Sequence, residues 1–461
     1  MSQLSFTSLP LSQPLLSNLE SMGYHTMTPI QALSLPKILQ GKDIIGQGKT
    51  GSGKTAAFSL GLLSNLNVKR FRVQSLVLCP TRELADQVAG EIRTLARAVH
   101  NIKVLTLCGG TPMGPQIGSL EHGAHILVGT PGRILDHLLK GRIDLSELNT
   151  LILDEADRML EMGFQESLDT IIDYAPKHRQ TLLFSATFPS EIESMAAGLM
   201  VEPEVVKVES NHDQATITQH FYQIDDNQER ERALRLLLMA HQPQSAVIFC
   251  NTKREVQSVT DLLNTHGFSV VELHGDMEQK DRDQALIRFA NKSVSLLVAT
   301  DVAARGLDVD NLDAVFNYEL SRDPEVHVHR IGRTGRAGSQ GVAFNFYRSK
   351  EGHRLSAIEE ALGHSINTSS LPEDEVLNQR PYFAPMHTIQ IDGGKKQKVR
   401  PGDILGVLTA EGGLKGEQIG KITVQAMRAY VAVNHDVVKQ ALRQFENRKM
   451  KGRQFRARWL K

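Results

Sequence analysis

From residue 43 to residue 210 the chain alternates short apolar runs with longer stretches of helical periodicity. The runs are DIIGQG, SLVLCP, VLTLCGG, HILVGTP, TLILDEAD, TLLFSAT and VVKVES. They lack polar alternation, which predicts strands covered on both faces, hence a parallel sheet joined by crossover helices. A second set, HFYQID, SAVIFCN, VVELHG, SLLVATD, AVFNYEL and GVAFNFY, predicts a second α/β lobe in tandem. The polar segment ESNHDQATITQ separates the two, and HSINTSSLPEDEVLNQRPYFAP, rich in Ser, Asn and Pro, follows the second. The last segment reads strand, helix, strand, strand, helix, strand, which fits a small α+β domain of the RNA-recognition-motif type. The expected divisions are residues 1–209, a linker at 210–218, a second lobe at 219–363, a linker at 364–386 and a third domain at 387–461.

Charge changes this picture more than composition does. The 461 residues hold 52 Lys and Arg against 52 Asp and Glu, yet residues 381–461 hold 16 against six, a balance of +10. The first 380 residues therefore carry −10. Six cations fall within RKMKGRQFRAR, residues 448–458. Arg453, Arg456 and Arg458 flank Phe455 and Trp459, a pattern suited to phosphate neutralisation and stacking on nucleic acid. No apolar run approaches the roughly 18 residues needed to cross a bilayer, and the first residues lack the marks of an export signal, so a cytoplasmic protein is expected. Cys79, Cys108 and Cys250 lie in or beside apolar runs without metal-ligand spacing and are expected to be reduced core residues.

The candidate chemistry begins at GKTGSGKT, Gly48 to Thr55, between a strand and a helix. It fits a phosphate-binding loop. Gly48, Lys49, Thr50, Gly51, Ser52 and Gly53 would wrap backbone N–H groups around phosphate oxygens at the positive end of the helix. Lys54 would reach the β and γ phosphates of ATP, and Thr55 would ligate Mg²⁺. Asp154, at the end of the strand TLIL, would hold the magnesium shell, partly through water, and Glu155 would orient or deprotonate the attacking water.

The motif DEAD at residues 154–157 is accompanied by TPIQ, PTRELADQ, TPGR, SAT, ATDVAARGLDV and HRIGRTGR, in that family's order. Over roughly residues 1–350 this set resembles the DEAD-box ATP-dependent RNA helicases. The resemblance implies two RecA-like lobes with ATP between them, its binding drawing the lobes together. It implies that Gln31 pairs with adenine and Phe6 stacks on it, and that Gly306 and Asp308 approach the nucleotide. Arg333 and Arg336 would act as arginine fingers, while Ser185 and Thr187 would couple hydrolysis to the grip on RNA. It places RNA backbone contacts at Arg82, Gly110, Thr130, Arg133 and Thr300. Two positions depart from the family: Gly48 replaces a usual alanine, and Ile287 stands where arginine is usual, with Arg288 next to it.

The tail, with IGKITV, YVAV and KGRQFRARWL, resembles the C-terminal domain of the bacterial DbpA group. That resemblance implies a target in 23S ribosomal RNA and pre-50S particles, and a monomer. The usual sheet-face stacking platform looks weak, because Gln390 and Arg428 occupy aromatic positions and leave Tyr430. RNA contact is therefore expected at Arg428, Tyr430, Arg453 and Arg456, partly off the sheet face. A non-catalytic, ATP-gated RNA clamp is the alternative, and it would be expected to lack Glu155 or the arginine fingers. A DNA translocase fits the RNA-type motifs poorly.

Overall fold

The computed structural model describes residues 4–48, 51–188, 190–208, 217–304, 312–335 and 340–460. It divides into two compact units, Met1–Asn211 and His212–Lys461.

The first unit is built on seven parallel strands: β1 (Ile44–Gln47), β2 (Ser75–Leu78), β3 (Val104–Leu107), β4 (Ile126–Gly129), β5 (Thr150–Asp154), β6 (Gln180–Ser185) and β7 (Glu204–Lys207). Their order in the sheet is β3-β4-β2-β5-β6-β1-β7. All seven apolar runs became strands because apolar layers cover both faces, one around Phe58 and Phe184, the other around Leu127 and Leu153. Gly46 in β1 answers a packing need, since a Cβ there would lie 2.4 Å from the ring of Phe184.

The second unit holds two sheets. The six parallel strands of lobe 2 are β8 (Ile217–Gln223), β9 (Ala246–Cys250), β10 (Val270–Leu273), β11 (Leu296–Thr300), β12 (Ala314–Asn317) and β13 (Gly341–Tyr347), in the order β10-β11-β9-β12-β13-β8. Residues 364–386 lie along this lobe: Leu371, Val376, Leu377 and Tyr382 pack against its core, and Ser369 N donates to Phe221 O at 2.7 Å. A segment rich in Ser, Asn and Pro is held here by a few well-spaced apolar anchors.

The third domain is an antiparallel sheet of β14 (Met386–Ile391), β15 (Ile419–Val424), β16 (Ala429–Asn434) and β17 (Ala457–Leu460), in the order β15-β16-β14-β17. One face, with Ile389, Ile391, Val431 and Val433, packs on the helices Pro401–Leu408 and Val438–Asn447. Among the described residues no helix is long and apolar enough to cross a membrane.

Candidate functional site

In lobe 1 the expected site residues gather where strands end: Gly48 after β1, Arg82 after β2, Gly110 after β3, Thr130 after β4, Asp154 and Glu155 at β5, Ser185 and Thr187 at β6. Parallel order places these ends on one rim of the sheet, where α/β proteins bind ligands.

The phosphate loop is shaped by glycine. Gly51 and Gly53 take positive φ, 80° and 94°, and Gly53 leads into the helix Lys54–Ser64. Lys54 is buried and its Nζ donates to the carbonyl of Gly48, while the Ser52 hydroxyl is buried without a partner. A lysine turned onto its own loop beside an unpaired hydroxyl and a helix N-terminus fits a phosphate group. At Gly48 a Cβ would stand 3.2 Å from Ser52 Oγ, so glycine in place of alanine gives that hydroxyl more room. Lys49 and Thr50 lie outside the described residues. At Gly53 a Cβ would come within 2.5 Å of Gln31 Nε2 and 2.9 Å of Thr28 Oγ1. Gly53→Ala is therefore expected to weaken nucleotide affinity about tenfold or more. Titration with a fluorescent ADP analogue measures this, and parental affinity would contradict the loop's role.

Gln31 is buried, donating from Nε2 to Gly53 O at 3.1 Å and accepting from Thr28 N at 2.9 Å through Oε1. One N–H and one lone pair remain, enough to donate to and accept from an adenine edge. Phe6 corrects its expectation. It is 2% exposed within the core that includes Leu15 and Leu19, so neither ring face is open to a base. An aromatic ring with no polar atom gains most by full burial, worth about 1.5–3 kcal/mol.

Asp154 is buried, and burial pushes its carboxyl up to about 7, with Lys54 opposing the shift and Glu155 adding to it. A carboxylate so desolvated favours a cation beside it. Among the described residues no cluster of three His, Cys, Asp or Glu side chains could hold a metal alone. Asp154 and the Thr55 hydroxyl are the oxygen donors that could serve Mg²⁺, an ion that takes most of its ligands from phosphate and water. Glu155 adopts a left-handed backbone, φ 53° and ψ 52°, a conformation costing a non-glycine residue about 1–3 kcal/mol. Its amide donates to Asp154 Oδ1 at 3.1 Å.

Asp157 accepts from Thr187 N at 3.1 Å and Thr187 Oγ1 at 2.8 Å. Burial pushes its carboxyl up, but Arg158 and these hydrogen bonds prevail and hold it below the usual carboxylate range. Gly48 N donates to Ser185 O at 3.1 Å. The segment Ser185–Thr187 is thus bonded both to the phosphate loop and to the DEAD turn. All three cysteines are buried and free of disulfides, as core residues, and burial pushes the Cys108 thiol up to about 12.

The RNA-type residues of lobe 1 form one cluster. Gly110 takes φ 71°, Gly109 N donates to Thr130 Oγ1 at 3.4 Å, and Arg133 Nη1 donates to Thr111 O at 3.2 Å. Arg82 opens the helix Arg82–Leu95, with its Nε 3.7 Å from Asp86.

In lobe 2, Gly306, Asp308 and Arg336 lie outside the described residues. Thr300 closes β11, and Arg333 follows the helix Pro324–Ile331, its carbonyl accepting from Leu312 N at 3.1 Å. Sequence reasoning missed Arg330. It is 2% exposed and bidentate to Asp301 at 2.7 and 2.8 Å. It also donates to Asn251 Oδ1 at 2.9 Å, Asn317 Oδ1 at 3.1 Å and Glu319 O at 2.7 Å, over the ring of Phe249. One guanidinium therefore ties the ends of β9, β11 and β12 to the helix that leads to Arg333. The available signal was spacing, since Arg330 is three residues from His327 on one helix and both are buried.

The third domain corrects two expectations. Tyr430 is buried, together with Thr388, Gln390 and Ala432 on the same sheet face. The turn Asn291–Ser293 of lobe 2 bonds to that face, with Asn291 Nδ2 donating to Thr388 Oγ1 at 3.1 Å and Met386 N to Lys292 O at 3.2 Å. A base cannot stack on Tyr430 while this face is closed. Arg288 belongs to the same neighbourhood: its carbonyl accepts from Ser293 N at 2.8 Å, and burial lowers its pKa. Phe455 and Trp459 are half-buried rather than presented as an open platform beside the arginines. Both pack against the domain core, and Gly393 permits this because a Cβ there would meet the Phe455 ring at 2.3 Å. Strand alternation turns Arg458 away from Trp459, and Arg453, Arg456 and Arg458 are all exposed. Arg453 follows a tight turn in which Lys451 and Gly452 take φ of 54° and 75°.

Comparison with known proteins agrees with this arrangement. Residues 28–195 match the DEAD/DEAH box helicase family, residues 228–338 the helicase conserved C-terminal domain, and residues 388–458 the DbpA RNA binding domain. The chain is 52% identical to the ATP-dependent RNA helicase DbpA of Escherichia coli, covering 98% of each chain. It is 43% identical to the DEAD-box ATP-dependent RNA helicase CshA of Geobacillus kaustophilus, over 82% of this chain and 81% of that one. Among solved structures it resembles Dbp5 of S. cerevisiae bound to RNA and ADP BeF3, with 31% identity and a TM-score of 0.72, covering 81% of this chain and 98% of that one.

Proposed function

Because the chain belongs to the DEAD-box ATP-dependent RNA helicases and carries a DbpA-type RNA-binding domain, we propose that it opens short duplexes in structured 23S ribosomal RNA during assembly of the large ribosomal subunit. RNA-dependent ATP hydrolysis is the family's activity; the choice of RNA is what needs a physical cause. A groove made of glycine turns and threonine hydroxyls reads phosphate and ribose, and so cannot select a sequence. The last domain can. Its +10 charge against −10 for the rest, with Arg453, Arg456 and Arg458 exposed, is the observation that carries this reading.

In this account the phosphate loop and Lys54 hold the triphosphate, while Asp154 and Thr55 hold magnesium. The metal would neutralise phosphate charge. Glu155 orients the attacking water, and Arg333 and Arg336 stabilise charge on the transferring phosphoryl group. Ser185 and Thr187, bonded to Gly48 and Asp157, transmit loss of the γ-phosphate to the RNA groove. The basic domain keeps the helicase near one RNA, raising its local concentration.

The test measures binding and ATP turnover with a 23S ribosomal RNA fragment, an unrelated RNA of equal length, and DNA. The 23S fragment should stimulate most. Changing Arg453 and Arg456 together to Ala should weaken its binding about tenfold and lower the slope of log affinity against log salt by about two. Equal stimulation by all three, or parental affinity and salt slope in the double variant, would contradict the proposal.

A further inference from the structure

The loop Cys108–Pro112, which follows β3 and carries Gly110, is anchored in the core at Cys108 and runs out past a hollow at Thr111 and Pro112. The hollow, of about 270 Å³, is lined by Leu105, Leu107, Thr111, Pro112, Pro115 and Gln116. Besides the bonds from Gly109 to Thr130 and from Arg133 to Thr111, one buried side chain braces both ends of the loop. Gln116, 8% exposed on the helix Met113–Glu121, donates from Nε2 to Cys108 O at 3.0 Å and to Thr111 Oγ1. Thr111 Oγ1 also donates to Cys108 O at 2.8 Å.

The amide is locked in this orientation. The Cys108 carbonyl can only accept, so Nε2 must face it and Oε1 must face away. Oε1 lies 3.1 Å from His137 Nε2, which is therefore the protonated nitrogen of that ring. His137 is fully buried on the helix Pro131–Leu139, and its Nδ1 has no partner. Burial lowers its pKa, and Arg142 and Arg133 lower it further against an opposing pull from Asp136, which favours the neutral ring. His137 thus holds Gln116, and Gln116 holds the loop. Arg133, from the same helix as His137, meets the loop again at Thr111 O.

We infer that Gln116, oriented by His137, is a positioning residue that sets the glycine loop in the shape lobe 1 presents to an RNA backbone. The inference rests on the reading of Gly110, Thr130 and Arg133 as an RNA surface. It explains why a buried amide stands in a helix facing a hollow, where a leucine would fill space better.

The experiment measures RNA-stimulated ATP turnover of the full chain against RNA concentration, with nucleotide affinity measured separately without RNA. Gln116→Leu should raise the KM for RNA about tenfold, equivalent to about 1.4 kcal/mol, while kcat at saturating RNA and the affinity for a fluorescent ADP analogue stay within about twofold. Thr111→Val, which removes one of the two loop-side acceptors of Gln116 and leaves the Cys108 carbonyl, should shift KM in the same direction and covers the case in which Gln116→Leu fails to fold. His137→Gln, which can still donate to Oε1, should restore most of what His137→Leu loses. Arg133→Ala separates the two levels of the argument. If it raises KM and Gln116→Leu and Thr111→Val do not, the positioning role is wrong; if Arg133→Ala leaves KM unchanged, the RNA surface itself is wrong.

Discussion

Arg330→Met is expected to destabilise lobe 2 by about 3–5 kcal/mol, because it removes a buried guanidinium, strands the half-buried carboxylate of Asp301 and leaves Asn251, Asn317 and the Glu319 carbonyl without their donor. Lysine should not rescue it. A single ammonium cannot reproduce the two parallel bonds to Asp301 and the three others that the planar guanidinium makes at once. The loss should appear as a lowered thermal transition in calorimetry and as depressed RNA-stimulated turnover. Stability and activity can be separated by adding Asp301→Leu. Removing both charges should recover much of the thermal stability, since a buried ion pair is often replaceable by apolar groups. It should not recover turnover, because the ends of β9, β11 and β12 are then no longer tied to the helix leading to Arg333. A single variant that melts like the parent would contradict the keystone role of Arg330.

The sheets were legible in the sequence because buried parallel strands leave continuous apolar runs that need no partner to be recognised. The thirteen runs read as strands in the two lobes correspond to β1 through β13. The phosphate loop, Asp154 and Glu155 were legible for a related reason. Each sits in a short local motif at a strand end, so chain order alone brings them to one rim.

What was not legible depends on contacts between distant residues. An apolar ring in Phe6 looks the same in sequence whether it faces a base or a core, and only packing with Leu15 and Leu19 decides. Tyr430 holds an aromatic position on its sheet, but the turn that closes that face comes from Asn291–Ser293, well over a hundred residues earlier. Phe455 and Trp459 looked like partners of the neighbouring arginines, yet strand alternation and the gap at Gly393 send the rings inward and leave the charges outside. Arg330 was masked by its own motif, where arginine and histidine side chains look alike, and its near-complete burial is visible only in the fold.

Glu155→Gln carries the second large expected effect. Glutamine matches glutamate in size and keeps a carbonyl to orient a water, but it cannot take up a proton. The left-handed backbone at residue 155 and the amide bond to Asp154 do not depend on the side-chain charge, so folding and nucleotide binding should survive. Proton transfer by a positioned carboxylate is worth about 10²–10⁴ in rate. The decisive measurement is the turnover of ATP by Glu155→Gln protein saturated with 23S ribosomal RNA, with nucleotide affinity determined in parallel. Turnover reduced at least about 100-fold at near-parental affinity is the predicted result. Parental turnover under those conditions would contradict the assignment of Glu155, and with it the account of how this chain uses ATP.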